Sequence, residues 1–215
     1  MIDSRIYIKS LNATEAGESN TNDSYILIPK VFDASDFFGL TSGNKLHFEA
    51  IDPENGLSYK LRYEVTSHNK EQRIYMLGIY CRNKGLHAGD IISIERLTIN
   101  EKTSFVIRYR KLTNIVLLQK IKGDYLIERN DIGDALTQKP FKLDFNGNTI
   151  DFILSFKYHG KKRNDSPDEF DFYEASIGNG KTLKDIINDQ YVIIDTNSMS
   201  IVPFEKTKEY RITQQ

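Results

Sequence analysis

Residues 57–65 read LSYKLRYEV and alternate apolar with polar side chains along their whole length. The odd-numbered residues are Leu, Tyr, Leu, Tyr and Val, whereas the even-numbered residues are Ser, Lys, Arg and Glu. Successive side chains of a strand point to opposite faces, so this period of two predicts a strand with one buried face. The polar stretch TSHNKEQ (66–72) predicts a loop, and RIYMLGIYC (73–81) predicts a second strand.

The residues on both sides of this stretch predict further strands, one short helix and a polar loop in the first half of the chain. A short helix is predicted at 31–40, where Gly39 would end it. The polar residues 11–24, LNATEAGESNTNDS, predict an exposed loop or arm. Further strands are predicted at 5–9, 25–29, 44–52, 91–99 and 102–112. About seven strands with one short helix indicate a small barrel or sandwich.

The second half of the chain is also rich in strand patterns. Residues 141–158 predict a hairpin, because Asn146-Gly147 supplies the positive φ angles of a tight turn. A short helix is predicted at 182–189, a charged loop at 160–169, and strands at 115–121, 191–195 and 200–204. The sequence therefore predicts a mainly β chain with short helices, divided into a domain at 1–112 and a strand-rich module at 113–215.

The composition excludes several kinds of site. The 215 residues carry a net charge of −1 and a single cysteine, Cys81, so no disulfide can form within the chain. The four histidines lack the spacings of a structural zinc site. No apolar run approaches the roughly 20 residues of a membrane span, and the N-terminus lacks the apolar core of a signal peptide. These features predict a cytoplasmic protein that does not enter a membrane.

A local excess of positive charge lies within this nearly neutral chain. Residues 60–84 contain two acids, Glu64 and Glu71, against six cations. The cations are Lys60, Arg62, Lys70, Arg73, Arg82 and Lys84. A binding partner responds to the local field rather than to the net charge, so this window is a candidate surface for an anionic partner.

Two ordered segments of the first half resemble a known family. The first segment is Tyr7-Ile8-Lys9, Leu11, a polar arm and Ile28-Pro29. The second is Glu71-Gln72-Arg73-Ile74 closing on Gly78, followed by Leu86 and Ala88-Gly89-Asp90 before a late strand. Over residues 5–112 the chain resembles the N-terminal effector-binding domain of the EcoRII-type restriction endonucleases.

The resemblance implies a fold, the seven-stranded DNA-binding pseudobarrel that plant transcription-factor domains of the auxin-response type share. In such domains two loops enter the major groove of double-stranded DNA. Carried over by position, the first loop, the N-arm, is Gly17–Ser24, and the second, the C-arm, is Ser67–Arg73. The implied backbone or arm contacts are Gly17, Ser19, Asn20, Thr21, Asp23, Ser24, Ser67, His68, Asn69 and Lys70.

The resemblance also implies which residues read bases, namely Asn22, Glu71, Gln72 and Arg73. Asn22 stands where the family often has His, and Gln72 where it often has Lys, which puts the exact target in question. The chemistry of the other two suits a C·G pair, because Arg donates twice to guanine and Glu accepts from the cytosine amino group. Lys60, Arg62, Lys70, Arg82 and Lys84 are the expected phosphate contacts, which position a protein without specifying sequence.

The family context adds further expectations. The chain is expected to be the target-recognition part of a bacterial type II restriction endonuclease, with a CCWGG-like site. The chain itself is then not expected to cleave. Its binding needs no metal, and Mg²⁺ would belong to a separate nuclease domain in the same protein or on a partner subunit.

Two alternatives from other functional classes stay open at this point. The first is a metal-dependent nuclease with its site within 140–175, where the candidate acids are Asp144, Asp151, Asp168 and Glu174. No acid–x–Lys pair follows Pro167-Asp168 as such a core requires, and Gly78-Ile79-Tyr80 has no matching second half of a nuclease motif. The other alternative is a module that binds a protein rather than DNA.

Overall fold

The computed structural model describes residues 2–18, 25–30, 32–40, 45–164, 167–202 and 204–212, with the backbone alone for 205–212. The prediction of a mainly β chain is confirmed, with 53% of residues in strands and 12% in helices. The chain divides into two compact units, Met1–Lys111 with Glu205–Gln215, and Leu112–Phe204. The first unit thus includes a C-terminal segment that the sequence pattern assigns to the second module.

The elements of the described residues are short and mostly extended. The strands are β1 (Ile2–Ser10), β2 (Tyr25–Ile28), β3 (Lys45–Ile51), β4 (Ser58–Val65), β5 (Gln72–Tyr75), β6 (Ile91–Ile99), β7 (Lys102–Arg110), β8 (Ile115–Ile121), β9 (Asp124–Asn130), β10 (Phe141–Phe145), β11 (Asn148–Lys161), β12 (Glu169–Ser176), β13 (Tyr191–Asp195), β14 (Ser200–Val202) and β15 (Glu205–Ile212). The helices are α1 (Ala13–Ala16), α2 (Ala34–Phe38), α3 (Gly78–Lys84) and α4 (Ala135–Gln138), and Leu183–Asp185 forms a 3₁₀ turn.

The first unit is an eight-stranded sheet around one apolar core. The strand order is β15-β1-β6-β7-β3-β4-β5-β2, and all neighbours are antiparallel except β3 and β7. Stacked and tilted aromatic rings fill its interior; Phe38 packs on Tyr63 with ring centroids 4.7 Å apart, and Phe48 on Phe105 at 4.6 Å. Such pairs stabilise a core by about 0.5–1.5 kcal/mol beyond their buried area.

The second unit is a closed seven-stranded barrel, in the order β10-β11-β12-β9-β8-β13-β14. The ring closes where β10 and β14 run parallel, through the pair Asp144 and Ser200. The predicted hairpin at 141–158 is confirmed as β10 and β11, and Asn146 and Gly147 adopt φ angles of 53° and 76° at its turn. The predicted helix at 182–189 is reduced to the single 3₁₀ turn.

The predicted strand at 73–81 is wrong beyond Tyr75. The chain turns at Met76, whose φ is 71°, and continues as α3. Leu77, Tyr80 and Cys81 are all buried, and they recur at the spacing of one helix face rather than at alternate positions. An apolar run of this length fits both periods, so the alternation alone could not separate a strand from a buried helix.

The prediction that 11–24 is an exposed loop also needs correction at its start. Leu11 is fully buried, and α1 follows at once with Asn12 as its N-cap. The side chains of Asn12 and Glu15 bond each other's backbone N–H groups at 2.9 and 3.1 Å, which is a capping box. Residues 19–24, which hold most of the predicted N-arm, lie outside the described residues.

A buried ion pair ties three elements of the first unit together. Lys9 Nζ on β1 lies 2.8 Å from Glu15 Oε1 on α1, and the two side chains are 4% and 2% exposed. Glu15 accepts a hydrogen bond from Leu27 N at 2.9 Å, and Lys9 donates to Leu27 O. Because β2 ends the sheet, these bonds satisfy backbone groups that an edge strand otherwise leaves unpaired.

Replacing Lys9 by Met is expected to lower the free energy of unfolding by about 3–5 kcal/mol, because it leaves a buried carboxylate without its cation. Burial raises the pKa of Glu15 and Lys9 counteracts that rise. Without Lys9 the pKa of Glu15 rises further, so protonation of the carboxyl offsets more of the loss at low pH than at high pH. The destabilisation should therefore grow as pH rises, measured by urea unfolding at several pH values.

The double variant Lys9→Met/Glu15→Gln provides the control, because it removes both charges and keeps an acceptor at residue 15. We expect it to be more stable than Lys9→Met alone at neutral pH, with little change across the pH range. Equal losses in the single and double variants would show that the bond from Lys9 to Leu27 O, which both variants lack, rather than the unpaired charge of Glu15, accounts for the loss.

Candidate nucleic-acid interface

The C-arm is an ordered turn between β4 and β5. Thr66 N donates to Glu71 O at 2.8 Å, and Glu71 N donates to Thr66 Oγ1 at 3.0 Å. Lys70 adopts a φ of 55°, which lets the chain reverse within this closed turn. The four residues at the tip, Ser67, His68, Asn69 and Lys70, are all exposed. The predicted arm therefore presents its tip to solvent on a fixed base.

Strand alternation separates the three predicted base readers of the C-arm. Gln72 lies on the core face of β5, where its side-chain oxygen accepts from Tyr63 Oη at 2.9 Å. The amide nitrogen of Gln72 donates to Phe32 O at 3.2 Å. A base-reading role for Gln72 would require these bonds to break, so its contacts give it the role of a structural link instead. Glu71 and Arg73 lie together on the opposite face.

Arg73 is held by three groups on the outer face of the sheet. Its guanidinium forms an ion pair with Glu71, with Nε 3.0 Å from Glu71 Oε2. Its Cζ lies 4.2 Å from the centre of the Tyr25 ring, and Nη1 donates to Tyr75 Oη at 3.4 Å. Partial burial lowers the pKa of Arg73, but the bonds to Glu71 and Tyr75 raise it by more, so the net shift is upward.

A second arginine repeats the arrangement one strand away. Arg62 on β4 places its Cζ 4.4 Å from the centre of the Tyr75 ring, and its Nε lies 3.2 Å from Glu64. The Tyr75 and Tyr25 rings are 5.6 Å apart. We call Tyr25, Arg62, Arg73 and Tyr75 the cation–aromatic face.

The strand register explains why these four side chains meet. Arg62 is paired with Tyr75, and Tyr75 with Tyr25, so one row crosses β4, β5 and β2. Residues at the same register on neighbouring strands point to the same face. Arg73 lies two residues before Tyr75 on β5 and therefore shares that face. Tyr25 and Tyr75 are absent from the predicted contacts, and the signal for them is the pairing register, which a single sequence does not show.

The two arms join opposite ends of the short β2–β5 pair. The C-arm leads into Gln72, which pairs with Ile28, while β2 begins at Tyr25, which pairs with Tyr75. Three residue steps separate these ends, or about 10 Å at roughly 3.3 Å per residue. The cation–aromatic face thus lies on the strand pair that connects the two arms, with Tyr25 and Tyr75 at its N-arm end and Arg73 next to its C-arm end.

The described start of the N-arm is fixed to a neighbouring turn. Gly17 ends α1 with a φ of 85°, which glycine adopts without strain. Glu18 then contacts His87 Nδ1 at 2.8 Å and accepts from Ala88 N at 3.2 Å. The predicted contacts Ser19, Asn20, Thr21, Asn22, Asp23 and Ser24 lie outside the described residues.

Lys84 differs from the other predicted phosphate contacts. Its Nζ lies 2.6 Å from both Asp52 and Glu54, and its side chain is only 10% exposed. These hydrogen bonds raise the pKa of Lys84. Its contacts therefore give Lys84 a structural role rather than the predicted one. Lys60 and Arg82 are exposed, as phosphate contacts require.

The acids of the nuclease alternative are distributed over separate positions of the barrel. Asp144 accepts from Gly147 N at 2.9 Å in the β10–β11 turn, and Asp151 lies 3.8 Å from Lys142. Glu174 pairs in register with Ser155 on the next strand. Within the part of the chain that the structure describes, no group of three or more His, Cys, Asp or Glu residues could hold a metal ion.

The chain has a structural likeness to a plant DNA complex. It is similar to a chain of the Arabidopsis FUS3–DNA complex, with 18% identity and a TM-score of 0.38. The match covers 48% of this chain and 94% of that chain. No protein-family model and no curated protein matches the sequence. Among the described helices, none is long and apolar enough to cross a membrane.

Substituting Lys84 tests its structural role directly. Lys84→Met removes the cation from buried Asp52, so we expect a lower temperature of half-unfolding by circular dichroism. Lys60→Met removes an exposed cation of the same type and should leave this temperature within error. Equal thermal stability of the two variants would contradict the structural role of Lys84.

Proposed function

We propose that the first unit binds double-stranded DNA sequence-specifically, by placing the C-arm and the N-arm in the major groove. The observation that carries the proposal is the pair Glu71 and Arg73, which form an ion pair at the base of an exposed arm. The resemblance of Tyr7-Ile8-Lys9 and Glu71-Gln72-Arg73 to EcoRII-type effector domains points to the same function.

The chemistry of the pair suits one C·G base pair. Guanine offers O6 and N7 as acceptors in the major groove, and cytosine offers the N4 amino group as a donor. Arg73 can donate to guanine while Glu71 accepts from the cytosine beside it. A bidentate contact of this kind discriminates against a wrong base by about 1–3 kcal/mol. Gln72 takes no part, since its amide is bound within the unit.

Exposed cations and the arm tip supply the sequence-independent part of binding. Lys60, Lys70 and Arg82 are exposed and carry no acid partner among the contacts of the described residues. Lysine and arginine neutralise phosphates and release counterions, so affinity should fall steeply with salt. Ser67, His68 and Asn69 at the tip can donate hydrogen bonds to phosphate oxygens or base edges.

The biological setting of the proposal follows from the sequence resemblance. The chain acts as the target-recognition part of a type II restriction endonuclease with a C·G-containing site, CCWGG-like in the simplest form. Recognition needs no metal ion in this proposal. Cleavage belongs to a nuclease domain elsewhere in the same protein or on a partner.

The proposal is tested by selecting bound duplexes from a random library at low salt and then measuring competition for the selected site. Arg73→Lys keeps the charge but loses the planar fork. It should therefore reduce discrimination against wrong bases at one base pair of the site by about 1–3 kcal/mol, without changing the salt dependence. Lys60→Ala should instead weaken all duplexes alike and reduce the salt slope by about one.

Three results would contradict the proposal in different ways. No mobility shift with any duplex at low salt would end the DNA hypothesis, because phosphate contacts dominate there. Equal behaviour of Arg73→Lys and Lys60→Ala would refute the division into base and phosphate contacts. Mg²⁺-dependent cleavage by this chain alone would show that it carries its own nuclease site.

A further inference from the structure

Tyr25 contacts Arg73 although the two residues lie far apart in the sequence. Tyr25 is the first residue of β2 and Arg73 the second residue of β5. The guanidinium carbon of Arg73 lies 4.2 Å from the centre of the Tyr25 ring, within the range of a strong cation–aromatic contact. Tyr25 carries no charge and has no hydrogen-bonding role in the proposed base contact.

We propose that Tyr25 is a positioning residue that sets the guanidinium plane of Arg73 and so determines how sharply the site discriminates. This inference rests on the proposed DNA-binding function. The guanidinium fork reads guanine only when its plane and its donors meet O6 and N7 together. A ring stacked on one side of that plane restricts its rotation before DNA arrives, which reduces the ordering cost of binding.

The three contacts of Arg73 are not equivalent in the bound state. Glu71 must turn to the cytosine amino group in the proposed contact, so its hold on Arg73 weakens. Tyr75 contacts Arg73 only through its hydroxyl oxygen, at 3.4 Å, because the ring of Tyr75 packs against the guanidinium of Arg62. The Tyr25 ring lies against the flat face of the Arg73 guanidinium, whereas a base would accept hydrogen bonds from the N–H groups at its edge. Tyr25 is therefore the contact that can persist from the free to the bound state.

Two variants of Tyr25 separate the ring from the rest of the side chain. Tyr25→Phe keeps the aromatic ring and removes the hydroxyl, whereas Tyr25→Leu keeps an apolar side chain and removes the ring. Specific and random duplexes are titrated with the wild type and both variants across a salt series. The ratio of the two affinities is the measured quantity, together with the slope of affinity against salt.

We expect Tyr25→Leu to reduce the specificity ratio by about threefold to thirtyfold, the range of a cation–aromatic contact. The loss of discrimination should appear at the same base pair of the DNA site at which Arg73→Lys reduces it. Tyr25→Phe should keep the wild-type ratio. Binding to random duplexes and the salt slope should stay unchanged in both variants, because neither alters a charge.

A structural readout without DNA completes the test. The Nε–H resonance of Arg73, assigned by its loss in Arg73→Lys, should carry a ring-current shift in the wild type and in Tyr25→Phe. Tyr25→Leu should abolish that shift. This readout establishes whether the contact forms before any duplex is added.

Each outcome of the titration decides the question. A wild type that prefers no duplex sequence refutes the proposed function and this inference together. A wild type with a preference that Tyr25→Leu retains refutes the positioning role alone. Parallel loss of specific and random binding shows a merely structural role, and loss in Tyr25→Phe assigns the effect to the hydroxyl; either result overturns the inference.

Discussion

The buried ion pair between Lys9 and Glu15 is the constraint on which the first unit depends. Both side chains bond the backbone of Leu27, one at its N–H and the other at its carbonyl. A buried charge pair costs desolvation energy, and excellent geometry with added hydrogen bonds is what offsets that cost. Here those added bonds fall on an edge strand, so the pair fixes β2 against β1 and α1 where no further strand supports it.

The position of β2 in turn determines what the outer face of the sheet presents. With Leu27 held in place, Tyr25 pairs with Tyr75 and Leu27 with Arg73. A shift by one residue would turn Tyr25 to the core and remove the ring from Arg73, because successive side chains of a strand alternate between faces. The cation–aromatic face thus depends on the Lys9–Glu15 ion pair, which bonds the edge of β2 that faces away from β5. Neither residue of the pair belongs to the proposed DNA contacts.

The sequence predicted the strands best where one face of each is polar and the other apolar. The alternation matches β4 over Ser58–Val65, where the even-numbered side chains are exposed or half-buried, but Leu57 lies before the strand and is exposed. It failed at α3, where an apolar run fits both periods. Composition identified Lys84 as a basic residue but could not show that Asp52 and Glu54 neutralise it, since those residues reach it only through the fold. The face of Gln72 likewise follows from the register rather than from its neighbours in sequence.

The pairing of Arg73 with Glu71 favours discrimination over raw attraction in the proposed complex. A phosphate that drew Arg73 away would leave Glu71 without its cation and beside a negative charge, so a non-specific contact at this site is disfavoured. A C·G base pair replaces both partners at once, giving acceptors to Arg73 and a donor to Glu71. An A·T pair offers a donor to Glu71 but no single base edge with two acceptors for the fork of Arg73, so one guanidinium donor is left unsatisfied in a desolvated groove, which costs about 1–3 kcal/mol or more for a charged group. In the proposed complex Glu71, an acid within the basic window, therefore sharpens recognition, while exposed cations such as Lys60 supply the attraction.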